Sequence, residues 1–103
     1  ADKSLADLLS KGWIKHKEEH VQNGKVWYCL MGGIRHLGLM RYTLTLRKII
    51  AELFPERVEK IMKHTEHAID VIADFNDMRE TTKDQVLKVA EEFDRRYRDR
   101  DIR

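Results

Sequence analysis

The chain has 103 residues and a formal net charge of +2, with 42% hydrophobic and 37% charged residues. We predict a single domain over residues 1–103, because this length supports one modest core, and a frayed tail at residues 98–103, where charges of both signs alternate. No apolar run approaches the roughly 20 residues of a membrane-spanning helix, and the start of the sequence does not resemble a signal peptide. We therefore expect a cytoplasmic protein without membrane association. One cysteine cannot form an internal disulfide or a cysteine-rich zinc site.

The first third of the chain predicts a short helix followed by a β-hairpin. Ser4 is a favourable N-cap for an apolar stripe that ends before Gly12, which indicates a helix over Leu5–Lys11. Asn23-Gly24 between two valines is the strongest short-range signal for a two-residue type I′ turn. We therefore predict a hairpin over about residues 13–28.

The turn also predicts the register of this hairpin. Gln22 pairs with Lys25, His20 with Trp27 and Glu18 with Cys29 if Asn23-Gly24 is the loop. One face then carries His16, His20, Trp27 and Cys29, and the other carries Trp13, Val21, Val26 and Tyr28.

The remaining sequence predicts helices. A glycine-weakened helix follows Cys29, a second ends before Pro55, and a third runs from Pro55 to about Phe75. Thr81 or Thr82 caps the last helix, and the spacing from Thr82 to Gln85 fits a capping box. The expected fold is mainly α, with four or five helices and one β-hairpin packed on the helical core.

Several short motifs resemble an uncharacterised family of small proteins from actinobacteria and their phages. That family has the pattern Gly-Trp, then Cys-x-x-Gly-Ala, then aromatic-Asn-Asp, then Thr before a closing helix. The resemblance covers about Leu5 to Phe93, with Gly33 at the usual alanine and Phe75 at the usual tryptophan. The matching residues are Trp13, Cys29, Gly32, Asn76, Asp77 and Thr82. The resemblance implies a fold and brings no activity.

Cys29 could be a reactive thiol, because a helix N-terminus favours the thiolate and His20 or His36 could act as a base. No known nucleophile motif surrounds it, and free cysteine is among the most buried residue types. We expect Cys29 to be buried and inert.

The five histidines do not predict a metal site. His16 and His20 lie about 13 Å apart if they belong to one strand, so they cannot share an ion. His64 and His67 are one helical turn apart, but they fall on a polar face and lack further ligands that we can name. We predict no metal and no cofactor.

The candidate binding residues lie in the hairpin and at the C-terminal end of the helix predicted to start at Pro55. Trp13, Trp27 and Tyr28 could line a recognition groove, since aromatic side chains concentrate binding energy, or could anchor the hairpin to the helices. Asn76 and Asp77 could form the polar edge of that groove, although such residues routinely close turns.

Basic residues near the hairpin indicate nucleic-acid binding as an alternative function of this surface. Lys15, Lys17 and Lys25 could contact phosphates while an aromatic ring stacks on a base, but Glu18 and Glu19 interrupt the charge. We therefore expect a small non-enzymatic protein-binding or adaptor protein, and the resemblance implies a host protein as its partner. The alternatives are a nucleic-acid-binding accessory protein and a cysteine-dependent small enzyme.

Overall fold

The computed structural model describes the backbone of residues 4–101 and the side chains as far as Tyr97. Within this range the helices and strands follow the order α1 (Leu5–Lys11), β1 (Glu19–Gln22), β2 (Lys25–Tyr28), α2 (Leu30–His36), α3 (Thr43–Leu53), α4 (Pro55–Ile61), α5 (Ala68–Asp77) and α6 (Lys83–Asp101), with a short 3₁₀ helix at Met40–Tyr42. The fold is mainly α with one hairpin packed on the helical core, as expected. The tail predicted at residues 98–103 lies outside the described side chains.

The first helix has the predicted boundaries and is capped twice. The Ser4 hydroxyl accepts a hydrogen bond from the Asp7 amide at 3.1 Å. The amides of Leu5 and Ala6 donate to the two carboxylate oxygens of Asp94 in α6, both at 2.9 Å. A carboxylate at this end of a helix satisfies free amides and interacts favourably with the helix dipole. The first and last helices of the fold are therefore joined.

The hairpin has the predicted turn and register but is shorter than predicted. Asn23 and Gly24 both have positive φ, at 52° and 76°, as a type I′ turn requires. His20 pairs with Trp27, and the strands end at Glu19 and Tyr28. The Cys29 amide donates to the Glu18 carbonyl, as the predicted pairing requires, but the prediction that residues 13–17 continue the first strand is wrong, because this segment turns toward α5 instead.

The second helix is capped by Cys29, and Gly32 allows the helix to approach the hairpin closely. A Cβ on Gly32 would lie 1.9 Å from the Glu18 carbonyl oxygen. That carbonyl accepts a hydrogen bond from the Cys29 amide at 3.2 Å. Gly32 therefore fixes the position of α2 against the start of β1.

The long helix predicted from Pro55 to about Phe75 is wrong: the chain forms α4 and α5, separated by residues 62–67. The Thr65 hydroxyl accepts from the His67 amide at 3.3 Å and donates to the Asp70 carboxylate at 3.0 Å, so the side chain replaces helical hydrogen bonds. Both short helices pack on α3 and on each other. A straight 21-residue helix, about 32 Å long, could not fold back in this way.

The last helix begins as predicted and completes the core. The Thr82 hydroxyl accepts from the Gln85 amide at 3.3 Å, and the Gln85 side chain accepts from the Thr82 amide at 3.2 Å, which forms a capping box. The largest fully buried side chains of the described residues are Phe75, Phe93, Leu5, Leu9, Leu30, Met31, Ile34, Leu46, Ile49, Ile50, Ile72 and Val71. Each of the six α-helices contributes buried side chains to this core, and α4 contributes Val58 and Ile61.

Candidate functional site

The Asn76 amide lies at the centre of a hydrogen-bond network that joins three parts of the chain. Its Oδ1 accepts from the Trp13 indole N–H at 2.7 Å and from the Leu30 amide at 3.1 Å. Its Nδ2 donates to the Ile14 carbonyl at 3.1 Å and to the Asp77 carboxylate at 2.9 Å. The side chain is completely buried. Asn76 therefore holds the segment after α1 and the first turn of α2 against the end of α5.

Asp77 and Lys15 extend this network toward the surface. The Asp77 carboxylate accepts from the His16 amide at 2.8 Å, and its other oxygen lies 3.8 Å from the His16 ring. His16 has φ 69°, so this carboxylate contacts a residue in the left-handed region. The Lys15 ammonium donates to the Met78 carbonyl at 2.6 Å, which caps the C-terminal end of α5. These groups thus have structural partners within the chain.

The hairpin presents a second group of predicted residues on its other side. The Trp27 ring is half-buried, and the Lys25 ammonium lies 5.0 Å from its centroid. His20 pairs with Trp27 across the hairpin, and the centroids of their rings lie 5.4 Å apart. A cation over an indole face is a favourable contact that leaves the rest of the ring available. Trp27, Lys25 and His20 form what we call the hairpin platform.

Tyr28 points the other way, into the core, beside a cavity of about 210 Å³. It is buried, and its hydroxyl lies 3.3 Å from Nδ1 of His36, whose ring packs against it with centroids 4.9 Å apart. The cavity is also lined by Glu18, Glu19 and Arg35. The Arg35 guanidinium donates to Glu18 at 2.7 Å, and this interaction raises the pKa of Arg35.

Cys29 is buried, as expected, at the base of a cavity of about 170 Å³. Burial raises the pKa of its thiol above the usual value, although the Gly32 and Met31 amides act in the opposite direction. The nearby Asp77 carboxylate also raises this pKa. His16 and Lys17 lie at the rim of the same cavity. The surroundings therefore favour a neutral thiol over a nucleophilic thiolate.

The structure thus divides the predicted binding residues into separate groups. Trp13, Lys15, Asn76 and Asp77 come together as an internal clamp. Trp27 and Lys25 lie on the hairpin platform, Tyr28 lies on the inner face, and Lys17 is exposed beside the Cys29 cavity. Asn76 cannot form the edge of a groove because it has no exposed surface. No group of three His, Cys, Asp or Glu side chains within the described part of the chain could hold a metal ion.

Sequence reasoning did not single out the pairing of His36 with Tyr28 or the carboxylate cap from Asp94. Both contacts join different elements of the fold, so periodicity within one element carries no signal for them. Val21 was predicted only as one member of a hairpin face, yet it is 61% exposed at the middle of β1. The predicted register of the hairpin could have identified this exposed strand edge, because it shows which backbone groups of β1 point away from β2.

The fold and these surfaces define a small helical protein that carries a β-hairpin on a polar clamp. The chain belongs to DUF6197, a family of unknown function, whose sequence model matches residues 3–95. This match confirms the expectation of an uncharacterised family. No curated protein and no solved structure matches the chain. No helix within residues 4–101 is both long and apolar enough to cross a membrane.

Proposed function

We propose that this chain is a small non-enzymatic protein-binding or adaptor protein that contacts a protein partner through the hairpin platform. The observation that carries the proposal is the half-buried Trp27 ring, which keeps an accessible surface while Lys25 and His20 contact it. Partly exposed tryptophans with a polar surround are typical anchors of protein interfaces.

The other candidate residues support this assignment because they form hydrogen bonds within the chain. Trp13, Asn76 and Lys15 donate to or accept from groups of the chain itself, so they support the hairpin, and we assign Trp27 as the aromatic anchor for the partner. The raised pKa of Cys29 argues against a cysteine-dependent enzyme. The proposal includes a cytoplasmic setting and, from the resemblance to actinobacterial and phage proteins, a host protein as the partner.

A nucleic-acid-binding role is the second candidate, because Lys25 and the exposed Lys17 lie on or near the platform. Phosphate contacts would make the affinity fall steeply with salt, whereas an aromatic anchor in a protein interface gives a shallow dependence. Glu18 and Glu19 lie next to Lys17 in the sequence and would repel a phosphate backbone.

The test begins with affinity capture from a lysate of the source organism, treated with nuclease. The captured protein is then purified and titrated at about 50 and about 200 mM salt, the range over which phosphate contacts weaken strongly. We expect Trp27→Ala to weaken binding by about 2 kcal/mol or more. Leu44→Ala, at a 63% exposed residue of α3, is the matched apolar control and should leave the affinity unchanged.

Labelled single- and double-stranded oligonucleotides are titrated in parallel with Lys17→Gln and Lys25→Gln variants. Salt-sensitive oligonucleotide binding that these lysine variants abolish, together with an unaffected Trp27→Ala, would replace the adaptor assignment with the nucleic-acid one.

A further inference from the structure

Within residues 4–101, the outer edge of β1 has no partner strand. In a hairpin closed by the Gln22–Lys25 pair, alternate residues exchange hydrogen bonds across the strands, and the backbone groups of the residues between them point outward. Those of Glu19 and Val21 therefore face away from β2. No backbone hydrogen bond to another element involves Glu19 or Val21 within the described residues. Both side chains are exposed.

The opposite edge of the hairpin is already covered. The Tyr28 amide donates to the Gly12 carbonyl at 3.0 Å, and the Tyr28 carbonyl accepts from the Ile14 amide at 3.1 Å. These bonds follow the same alternation, since Tyr28 pairs with Glu19 and its backbone groups also point outward. The segment after α1 thus occupies the edge of β2, and the edge of β1 is the one that no described segment covers.

A cavity beside this open edge could receive one side chain of an added strand. Glu19 and Tyr28 share one face of the hairpin and both line the cavity of about 210 Å³. A residue paired with Glu19 would place its side chain on that face. Glu18 in the cavity wall is paired with Arg35, whereas Glu19 forms no ion pair with any described residue. The cavity therefore offers an unpaired carboxylate and two aromatic rings, those of Tyr28 and His36.

We propose that β1 binds an extended segment of a partner protein as a third, antiparallel strand, with a Lys or Arg side chain of that segment in the cavity beside Glu19. Main-chain hydrogen bonds to Glu19 and Val21 supply affinity, and the cavity supplies specificity. Because Val21 is exposed and lies two residues from Glu19 on the same face, the segment has an aliphatic residue opposite Val21. Because the segment runs antiparallel to β1, its sequence from N- to C-terminus is aliphatic-x-basic.

This inference rests on the proposed function, because it names the chemistry of the protein partner and a second surface of the same hairpin. It uses the edge and the inner face of β1, whereas the hairpin platform lies on the other face. The two surfaces can therefore be tested separately.

The probes are acetylated, amidated peptides of sequence Thr-Thr-Val-Thr-Xaa-Thr-Thr, where Xaa is Lys, Arg, Gln or Glu. They are titrated into the full chain while its amide resonances are followed by NMR. We expect the Lys and Arg peptides to bind at least about threefold more tightly than the Gln peptide, and the Glu peptide to bind least, because a partly exposed ion pair contributes modestly. Shifts should be largest at Glu19 and Val21.

Two pairs of matched changes test the strand geometry. A methyl group on the valine amide of the Lys peptide removes a donor to β1 and should reduce binding at least about tenfold, whereas a methyl group on the following threonine amide, which faces away, should not. In the protein, Val21→Pro should abolish binding and Val21→Thr should retain it, because proline removes the outward N–H. The N-methylated peptides give an answer even if Val21→Pro fails to fold.

Charge reversal at the cavity provides the decisive measurement. Glu19→Lys should bind the Glu peptide more tightly than the Lys peptide. Equal affinity of all four peptides, insensitivity to N-methylation, or a chain that dimerises through β1 in place of binding peptide would each overturn the proposal. If the peptides show none of these effects but Trp27→Ala still weakens partner binding, only the edge inference is rejected. If the peptides show these effects but Trp27→Ala leaves partner binding unchanged, only the platform is rejected.

Discussion

Asn76 shows how one side chain can determine the geometry of a whole surface. An amide offers an acceptor and a donor group in one rigid plane, and here each group makes two hydrogen bonds. The buried side-chain nitrogen and oxygen atoms of the described residues all have a partner. Residues 13–16 therefore depend on this amide for their position, and the covered edge of the hairpin depends on residues 13–16.

The first prediction concerns replacement of this amide by a nearly isosteric acid. Asn76→Asp removes both donors and places a carboxyl group against the Ile14 carbonyl and the Asp77 carboxylate, so we expect a loss of about 3 kcal/mol or more in the free energy of unfolding. Chemical denaturation measures this loss. Asp74→Asn, at an exposed position of the same helix, should change stability by no more than about 0.5 kcal/mol. Similar values for the two variants would contradict the clamp.

The second prediction concerns the Cys29 thiol. Because burial raises its pKa, the thiol loses its proton at lower pH in the unfolded chain than in the folded chain, and the unfolded state binds fewer protons in the alkaline range. Stability should therefore fall as the pH rises from the ordinary thiol pKa through the raised pKa of the folded state. Cys29→Ala should lack this part of the alkaline decrease. A labelling reagent should react slowly with the native thiol at neutral pH; fast reaction would revive the cysteine-dependent enzyme.

At the scale of single elements, the sequence predicted caps and turns correctly where the residues that form them are close together in the chain. The Ser4 cap, the Asn23-Gly24 turn and the Thr82–Gln85 capping box each act within four residues, and all are present. The break between α4 and α5 has no glycine or proline, and it is stabilised by the hydroxyl of Thr65 and by packing of both helices on α3. Periodicity cannot detect a break that tertiary packing decides.

The third prediction compares two adjacent glycines in α2. Gly32→Ala forces a Cβ against the Glu18 backbone, so we expect a loss of about 3 kcal/mol or more in the free energy of unfolding. At Gly33 the nearest atom is the Leu5 Cδ1, at 2.8 Å, and a flexible side-chain end can move. Helix propensity favours alanine by about 1 kcal/mol, so Gly33→Ala should be nearly neutral. Thermal denaturation of both variants measures the difference, and equal destabilisation would show that the Glu18 contact is unimportant.

At the scale of the whole molecule, the least predictable contacts are those between distant residues. The Trp13–Asn76 bond joins residues 63 apart, and the Leu5–Asp94 bond joins residues 89 apart. The aromatic and polar residue types pointed to important positions, but neither composition nor spacing shows which side chains meet across the core. The sequence could thus nominate Trp13 and Asn76 together without revealing that they bind each other.

The fourth prediction tests the link between the ends of the fold. Asp94→Ala leaves the Leu5 and Ala6 amides without their acceptor, and we expect a loss of about 2 kcal/mol in the free energy of unfolding, the upper range for a helix cap. Hydrogen exchange at these two amides should accelerate in the variant. Glu91→Ala, on the exposed side of α6, is the control. Unchanged exchange at Leu5 and Ala6 would show that Asp94 does not cap α1.

The carboxylate cap on α1 also affects how this protein can form on a ribosome. Synthesis proceeds from the N-terminus, so α1 emerges long before Asp94 exists, and the packing of its Leu5, Leu8 and Leu9 stays incomplete until α6 follows. A short isolated helix is unstable in water, so α1 stays largely unformed in the nascent chain. Packing of α1 is therefore completed only after α6 has been synthesised, and until then part of the surface of these leucines stays accessible to chaperones and proteases.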